Sequence, residues 1–228
     1  MNLLFTIILF FTGACLASFA TLSAYRLGCE QLPWSPKRSY CDHCQKQLTY
    51  WQLIPIVGFL LQGGQCHFCR ARLSRFSPLL ETLSGFFFVQ FTTGTFFSLI
   101  NTTILTLTFS FIIAHDYFYQ LVYPISFSGL LPLTWSLPDW HLPSPLSMIG
   151  AGCFVLVLLL LHHISQTIGG GDVEYIAILF LILGYYPTLI IILLSCLCMT
   201  IFFLRQRTTR LPFLPALVTF TMLNTCLN

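Results

Sequence analysis

Long apolar runs, interrupted by very few charged residues, constrain this chain more than any other feature of its sequence. Only 7% of the 228 residues are charged and 56% are hydrophobic, whereas about a quarter of the residues in a soluble domain are charged. The runs are continuous and do not alternate between apolar and polar residues as the strands of a membrane β-barrel do. We therefore predict an all-α, polytopic bundle of transmembrane helices in a lipid bilayer.

Dividing the apolar runs at about 20 residues per span predicts about eight transmembrane helices. The chain then consists of a first transmembrane helix (1–25), a small cytoplasmic loop domain (26–79) and a transmembrane core (80–228). The short apolar stretch at 51–62 contains Pro55, so we expect it to lie on the membrane or against other helices. The predicted spans lie near 2–22, 80–99, 101–116, 121–137, 146–163, 173–184, 186–204 and 211–227.

The basic residues predict the side of the membrane that each loop faces. Seven of the ten bases lie between Arg26 and Arg75, and the other three are Arg205, Arg207 and Arg210. Short loops rich in Lys and Arg stay in the cytoplasm, and the even number of predicted spans between the two stretches places both on that side. No base precedes the first apolar run, which favours a span with an external N-terminus over a cleaved signal peptide. The proline-rich connection at 131–146 is then external.

Four cysteines in the basic loop form two C-x2-C pairs, Cys41 with Cys44 and Cys66 with Cys69. Such pairs suit a tetrahedral zinc site, because each pair supplies two thiolates from one tight turn. A cytoplasmic location disfavours disulfides, and a metal would stabilise a loop that has little apolar material for a core. The alternatives are cysteines without metal, or a site in which His43 or His67 replaces a thiolate.

Two acids next to apolar runs are the candidate catalytic groups. Asp116 closes the predicted third span, and Asp172 opens the sixth after three glycines, Gly169 to Gly171. The predicted topology brings both to the cytoplasmic face, where two neighbouring carboxyls in a low dielectric share one proton, as an aspartic protease requires. The structural alternative is that Asp172 is the N-cap of the following helix and that Asp116 is a solvated residue at a helix end.

Four segments together resemble a known family in their order and spacing. ASFATLSAYRL (17–27) is similar to its N-terminal segment, and the stretch from CDHC to SPLLE (41–81) is similar to its cysteine loop and the motif that follows. GGGD (169–172) matches the motif GxGD, and LPFLPAL (211–217) is similar to the segment PFGP. The chain thus resembles the type IV prepilin leader peptidases, a branch of the GxGD intramembrane aspartic proteases.

The resemblance implies that Asp116 and Asp172 are the catalytic pair of an aspartic endopeptidase. The implied partners are prepilins or the related pseudopilin precursors of competence and secretion, whose leaders are removed at the cytoplasmic face of the bacterial inner membrane. Many members also methylate the new N-terminus with S-adenosylmethionine, and Glu81 matches the region associated with that reaction. Residues that the resemblance places in support of the site are Gly169, Gly170, Gly171 and Glu81.

The chain departs from the family pattern at several positions. Ser77 stands where the family has a tyrosine, and Leu214 stands where it has a glycine. Tyr123 occupies the position of a customary proline, which follows as Pro124, and Glu174 replaces a frequent lysine. The peptidase assignment does not depend on these positions.

Two other classes of function remain open from the sequence. A noncatalytic pilus-assembly factor could use the cysteine loop to bind its components, and a proton-coupled transporter could use paired intramembrane acids as a relay. No nucleic-acid motif, phosphate-binding loop or Ser/His/Asp order is visible in the sequence, so we expect no nucleic-acid partner.

Overall fold

The computed structural model describes residues 2–35, 38–136, 144–165, 169–206 and 212–227. Within these ranges the chain is helical, with two isolated β-bridges and no β-strand, which confirms the predicted all-α class. The helices are α1 (Leu3–Gly28), α2 (Val57–Leu61), α3 (Phe76–Phe91), α4 (Phe96–Tyr119), α5 (Pro132–Ser136), α6 (Pro145–Ser165), α7 (Gly170–Ile182), α8 (Tyr185–Gln206) and α9 (Leu214–Leu227).

Four helices in the described part of the chain, α1, α4, α6 and α8, are long and apolar enough to cross a membrane. This supports a membrane protein, whereas the predicted count of eight spans is not confirmed. The predicted proline-rich connection lies partly outside the described residues, because positions 137–143 are not among them, and Arg207 and Arg210 lie outside them as well.

Two predicted spans differ from the structure for identifiable reasons. The span predicted at 80–99 ends early, because α3 stops at Phe91 and Gly94 adopts a φ of 84°, a left-handed conformation that closes the turn before α4. The span predicted at 121–137 is wrong as a single helix. It consists of a 3₁₀ segment, Pro124–Leu130, followed by the short α5. Proline has no backbone N–H to continue a helix, so its two prolines break a run that composition alone predicts to be continuous.

The chain divides into two compact units, residues 1–114 and 115–228, and the boundary falls within α4. The predicted boundaries near residues 25 and 79 remain predictions.

In the first unit, α1 and α3 pack antiparallel at very short range. A Cβ atom added at Gly13 of α1 would lie 2.5 Å from the Cβ of Phe88 and 2.7 Å from the carbonyl oxygen of Ser84. Gly85 meets Phe10 in the same way, with 2.9 Å between an added Cβ and the Phe10 carbonyl oxygen. Small residues at a helix crossing let two backbones approach closely in a membrane, so these glycines fix the register of the pair.

The same unit joins α3 to α4 through polar and aromatic contacts. The hydroxyl groups of Ser84 and Ser110 are 3.0 Å apart and fully buried. Phe87 and Phe109 pack edge to face beside them, with ring centroids 5.6 Å apart. Hydrogen bonds between serine side chains satisfy polar groups that would otherwise be costly in apolar surroundings.

The second unit is organised around α7. Tyr175 is completely buried, and its hydroxyl group donates a hydrogen bond to Thr221 Oγ1 of α9 at 3.1 Å. Its ring also contacts Phe127 of the 3₁₀ segment, at 5.8 Å between centroids. Helix α7 further packs against α6 and α8. Tyr175 therefore links the helix that carries Asp172 to the helix that begins at Leu214.

The crossing of α1 and α3 can be tested by adding one methyl group. We expect Gly13→Ala to lower the stability by about 1–3 kcal/mol, because the new Cβ meets backbone and Cβ atoms that cannot rotate away. Gly152→Ala in α6 is the matched control, since an added Cβ there has no neighbour within 4 Å among the described residues. Thermal unfolding in detergent would measure both variants. Equal melting temperatures for the two would contradict the proposed packing.

Candidate functional site

Asp116 lies in the last turn of α4 and is 8% exposed. Its carboxyl group accepts a hydrogen bond from the backbone N–H of Leu214, the first residue of α9. The other oxygen, Oδ2, is buried and has no partner among the described residues. The predicted alternative of a solvated acid at a helix end is therefore wrong for Asp116, which is a helix-end residue but a buried one.

Asp172 lies in the first turn of α7, three residues after the N-cap residue Gly169. The backbone N–H of Gly169 donates to the Asp172 carboxyl, and the Asp172 N–H donates to the Gly169 carbonyl at 3.2 Å. An acid at this position satisfies a free N–H at the start of the helix. The N-cap alternative is therefore wrong for Asp172, because Gly169 is the N-cap residue and Asp172 lies in the first turn of the helix.

The structure brings the two acids together, although 55 positions of the sequence lie between them. The charge of Asp172 acts on the Asp116 carboxyl as a source of repulsion. Each carboxyl also accepts a backbone N–H from the beginning of a helix, α9 for Asp116 and α7 for Asp172. The partial positive charge of a helix N-terminus favours a carboxyl group at this place. The arrangement can therefore hold two acids close together in mostly apolar surroundings.

The three glycines before Asp172 have different local requirements. A Cβ at Gly169 would lie 3.1 Å from Asp172 Oδ2, so a side chain there would press on the carboxyl group. Gly171 faces Val122, with 3.5 Å between an added Cβ and the Val122 Cβ, which is an ordinary contact. Gly170 is exposed and lies near His162. Only Gly169 is therefore required to be small by its contact with the acid.

His115, which directly precedes Asp116, holds the chain that leaves α4. Its Nδ1 lies 2.5 Å from the carbonyl oxygen of Leu121, and its ring contacts those of Tyr119 and Tyr123. Neither this contact of His115 nor the contact between Asp116 and the N–H of Leu214 is predicted from the sequence. A backbone donor carries no side-chain signal in a sequence, and LPFLPAL provided only a motif resemblance.

Glu81, in the first unit, supports an unusual turn. Its Oε2 accepts the N–H of Ile56 at 2.8 Å, and its Oε1 accepts the hydroxyl of Ser77 at 3.1 Å. Ile56 has a φ of 64° and a ψ of −54°, and Val57 N–H donates to the Pro55 carbonyl at 2.6 Å, which defines a γ-turn. A β-branched residue in this conformation is strained, so the buried carboxylate stabilises a backbone that would otherwise relax.

The four predicted metal ligands form one cluster in the first unit. The sulfur atoms of Cys41, Cys44, Cys66 and Cys69 all lie within 4.8 Å of one another, and Cys41 Sγ is 3.9 Å from Cys69 Sγ. A tetrahedral zinc ion with bonds of about 2.3 Å requires sulfur atoms about 3.8 Å apart. The four thiols therefore fit zinc, while His67 packs its ring against Trp51 and Phe68 instead.

The two cysteine pairs lie on turns of the same construction. Cys41 N–H donates to Lys46 O at 3.0 Å, and Cys66 N–H donates to Ala71 O at 2.8 Å. The isolated β-bridges, Tyr40 with Gln47 and Gln65 with Arg72, close the two turns at equivalent positions. Two residues with left-handed backbones, Gln45 and Arg70, follow the second cysteine of each pair. The loop is thus built from two matching turns that present their thiols to a common centre.

One thiol of the cluster is already prepared to ionise. The backbone N–H groups of Cys69 and Phe68 lower the pKa of the Cys66 thiol to about 6. A thiolate is the form that binds zinc. The folded turn therefore favours the thiolate at Cys66, whereas burial and the neighbouring thiols raise the pKa of the Cys69 thiol to about 11.

Comparison with known proteins connects both halves of the chain to one family. Residues 11–95 match the profile described as the bacterial peptidase A24 N-terminal domain, and residues 95–204 match the type IV leader peptidase family. The chain belongs to the type IV leader peptidase family. This confirms the resemblance carried by the cysteine loop and by GGGD, and it supports an enzyme that processes prepilins.

Several relatives carry the name prepilin leader peptidase/N-methyltransferase. The protein from Bacillus subtilis is 29% identical, covering 78% of this chain and 73% of its own length. The proteins from Neisseria gonorrhoeae and Aeromonas salmonicida are 30% and 31% identical, covering 70% and 72% of this chain. The chain spans only 59% and 60% of the length of these two relatives. No solved structure matches the chain.

Zinc binding by the four-cysteine cluster can be tested by metal analysis. We expect about one zinc ion per purified wild-type chain and no stoichiometric zinc in the variant Cys41→Ser, Cys44→Ser, because two of the four thiolates would be lost. The control variant Cys153→Ser, Cys198→Ser removes two exposed thiols outside the cluster and should retain the metal. Zinc that is absent from the wild-type protein, or retained without the first pair, would contradict the assignment.

Proposed function

We propose that this chain is a membrane-embedded aspartic endopeptidase, with Asp116 and Asp172 as its catalytic pair. The observation that supports this most directly is that the charge of Asp172 acts on the Asp116 carboxyl and that each of the two carboxyls has a backbone N–H donor. Family membership adds the class of reaction. The unpartnered Oδ2 of Asp116 offers an oxygen atom that can bind a water molecule or the substrate.

The proposed mechanism uses one proton between the two carboxyls. Two acids this close cannot both ionise readily, so the pair holds a single proton over a range of pH. The ionised member removes a proton from water, whose oxygen attacks the scissile carbonyl carbon, while the protonated member polarises the carbonyl oxygen. The C–N bond of the tetrahedral intermediate then breaks, and the amine leaves with a proton supplied by the pair. The titration belongs to the pair, so we do not assign the proton to one residue.

The proposed substrates are prepilins or pseudopilin precursors. Such a precursor would place its apolar stem among the membrane helices and leave its basic leader in the cytoplasm. The acids would then face the cytoplasmic side of the bacterial inner membrane, with the N-terminus of the chain outside. The clustering of bases between Arg26 and Arg75 supports this orientation, since basic loops are retained in the cytoplasm.

The two rival functions predict different effects of removing an acid. A proton-coupled transporter requires ionisable groups along a path across the bilayer, whereas the two candidate acids meet at a single site. A noncatalytic assembly factor would tolerate the loss of both carboxyls. A cleavage assay therefore separates the peptidase from both rivals.

We expect Asp116→Asn and Asp172→Asn each to reduce leader cleavage by about a thousandfold or more, because one amide cannot share the proton of the pair. Glu174→Gln is the matched control, since this acid is exposed and only two residues from Asp172. It should cleave at the wild-type rate. The measurement is mass spectrometry of a prepilin incubated with each purified variant.

The amount of each variant in the membrane provides the control for folding. Normal accumulation with lost cleavage would support the catalytic pair. Full cleavage by either Asp→Asn variant would remove that residue from the mechanism, and full cleavage by both would favour a noncatalytic role.

Methylation of the new N-terminus is a second candidate function, and the names of the relatives favour it. S-adenosylmethionine would supply the methyl group. Both oxygens of Glu81 already accept hydrogen bonds within the chain, from Ile56 N–H and from Ser77. These contacts do not define a site for that cofactor, and we propose that Glu81 acts by positioning the Pro55–Val57 turn.

A positioning role for Glu81 predicts a difference between two substitutions. Glu81→Gln keeps an oxygen for the N–H of Ile56 and can donate to Ser77, so methylation of mature pilin should be retained. Glu81→Ala removes both contacts and should abolish it. Incorporation of a labelled methyl group measures this, with leader cleavage as the control activity. Loss of methylation in the Gln variant would show that the carboxylate itself is required.

A further inference from the structure

A cavity with two arginines at its edge lies in the first unit, outside both the acid pair and the cysteine cluster. It has a volume of about 510 Å³ and is open to the surface. Its apolar walls are Phe59, Leu60 and Leu73, and the side chains of Arg72 and Arg75 line it as well. Both arginines are exposed. The cavity therefore combines an apolar interior with two positive charges.

The helix register places the arginine edge near the membrane surface. The rings of Phe10 in α1 and Phe86 in α3 are 5.2 Å apart. Because α1 and α3 run antiparallel, a residue before Phe86 is level with the residue that lies equally far after Phe10. By this count, Arg75 is level with Thr21 of α1. Thr21 precedes Arg26, the base in the last turn of this membrane-spanning helix.

The length of α1 gives the depth of this level. The helix has 26 residues and is therefore about 39 Å long, compared with a hydrocarbon thickness of about 30 Å. Placed with its first residue at the outer edge of the hydrocarbon, α1 leaves this layer after about residue 22. Thr21 then lies just inside the cytoplasmic edge, and Arg26 lies beyond it. Arg75 is consequently level with this edge, and its side chain is long enough to reach the lipid phosphates.

The helix that contributes to the cavity also exposes apolar side chains. Leu60 and Leu61, at the end of α2, are each 68% exposed. The preceding segment adds Ile54, which is 44% exposed. An exposed apolar edge next to cationic residues is typical of a segment that lies in the membrane interface. The stretch at 51–62 is predicted to lie on the membrane or against other helices, and these exposures favour the membrane.

We propose that this cavity binds the headgroup of an anionic phospholipid. The Arg72 and Arg75 guanidinium groups would contact the phosphate, a geometry for which arginine is well suited. Phe59 and Leu60 would contact the upper parts of the acyl chains. The exposed leucines would enter the same leaflet and hold the cysteine loop against the bilayer. This proposal does not depend on the peptidase activity.

A lipid fits these observations better than a soluble anion or an acidic protein segment. A free phosphate would use the arginines but not the apolar walls. An acidic peptide would gain little from exposed leucines at headgroup depth. A lipid uses both features, and a positive residue near an anionic membrane surface contributes about 1 kcal/mol to binding.

The test measures bound lipid on the full chain in nanodiscs that contain equal amounts of phosphatidylglycerol and phosphatidylcholine. Native mass spectrometry gives the ratio of the two lipids retained by the protein. We expect the wild type to prefer phosphatidylglycerol, and we expect Arg72→Gln, Arg75→Gln to reduce that preference by about tenfold or more. The control variant Arg38→Gln, Lys46→Gln removes the same charge from residues that do not line the cavity, and should retain the preference.

Further arms distinguish the alternatives. The variant Arg72→Lys, Arg75→Lys keeps both charges and should retain most of the preference, and unchanged zinc content and melting temperature would verify folding throughout. Excess glycerol 3-phosphate or a soluble acidic peptide should not displace the lipid. The proposal would be overturned by an unchanged preference in the Arg→Gln variant, by an equal loss in the control, or by displacement of the lipid by either soluble anion.

Discussion

Backbone N–H groups hold the buried acids of this protein, and the arrangement of the functional residues depends on this pairing. Glu81 accepts the N–H of Ile56, Asp116 that of Leu214 and Asp172 that of Gly169. A carboxylate that leaves water must recover hydrogen bonds or lose considerable free energy. Backbone donors provide them without bringing in a cation, which would itself have to be buried. In the second unit this allows two acids to remain close together.

The same pairing explains why helix ends, rather than helix centres, carry the proposed chemistry. Only the first turn of a helix has N–H groups without partners in the helix. Helices α7 and α9 each direct such a group to one acid, and Tyr175 connects these helices by its hydrogen bond to Thr221. The distance between the acids is therefore set by the packing of whole helices. A small displacement of α9 would change the environment of Asp116 without altering any side chain of the pair.

The sequence predicted the features that depend on local patterns. Two C-x2-C pairs predicted one four-sulfur cluster, because the ligands of each pair share a single turn. The acids Asp116 and Asp172 were selected because charge is rare in this chain, and the structure brings them together. Predictions failed where the backbone conformation changes within a continuous apolar run, as in the segment that begins at Pro124, because composition alone does not show such a change. They also missed the Leu214 and Gly169 donors, since a backbone N–H has no sequence signature and its partner is fixed only by tertiary packing.

In the first unit, the pairing of a buried carboxylate with a backbone N–H positions a loop. The loop between α1 and α3 has little apolar material of its own, and two matching turns around four thiols can organise it if zinc binds. Between those turns the chain passes through the strained backbone of Ile56, whose N–H is held by Glu81 from α3. The cysteine loop is thus tied to a helix by one buried carboxylate as well as by chain continuity. Because α3 is packed on α1 through Gly13 and Gly85, this contact fixes the loop relative to a helix that is long and apolar enough to span a membrane.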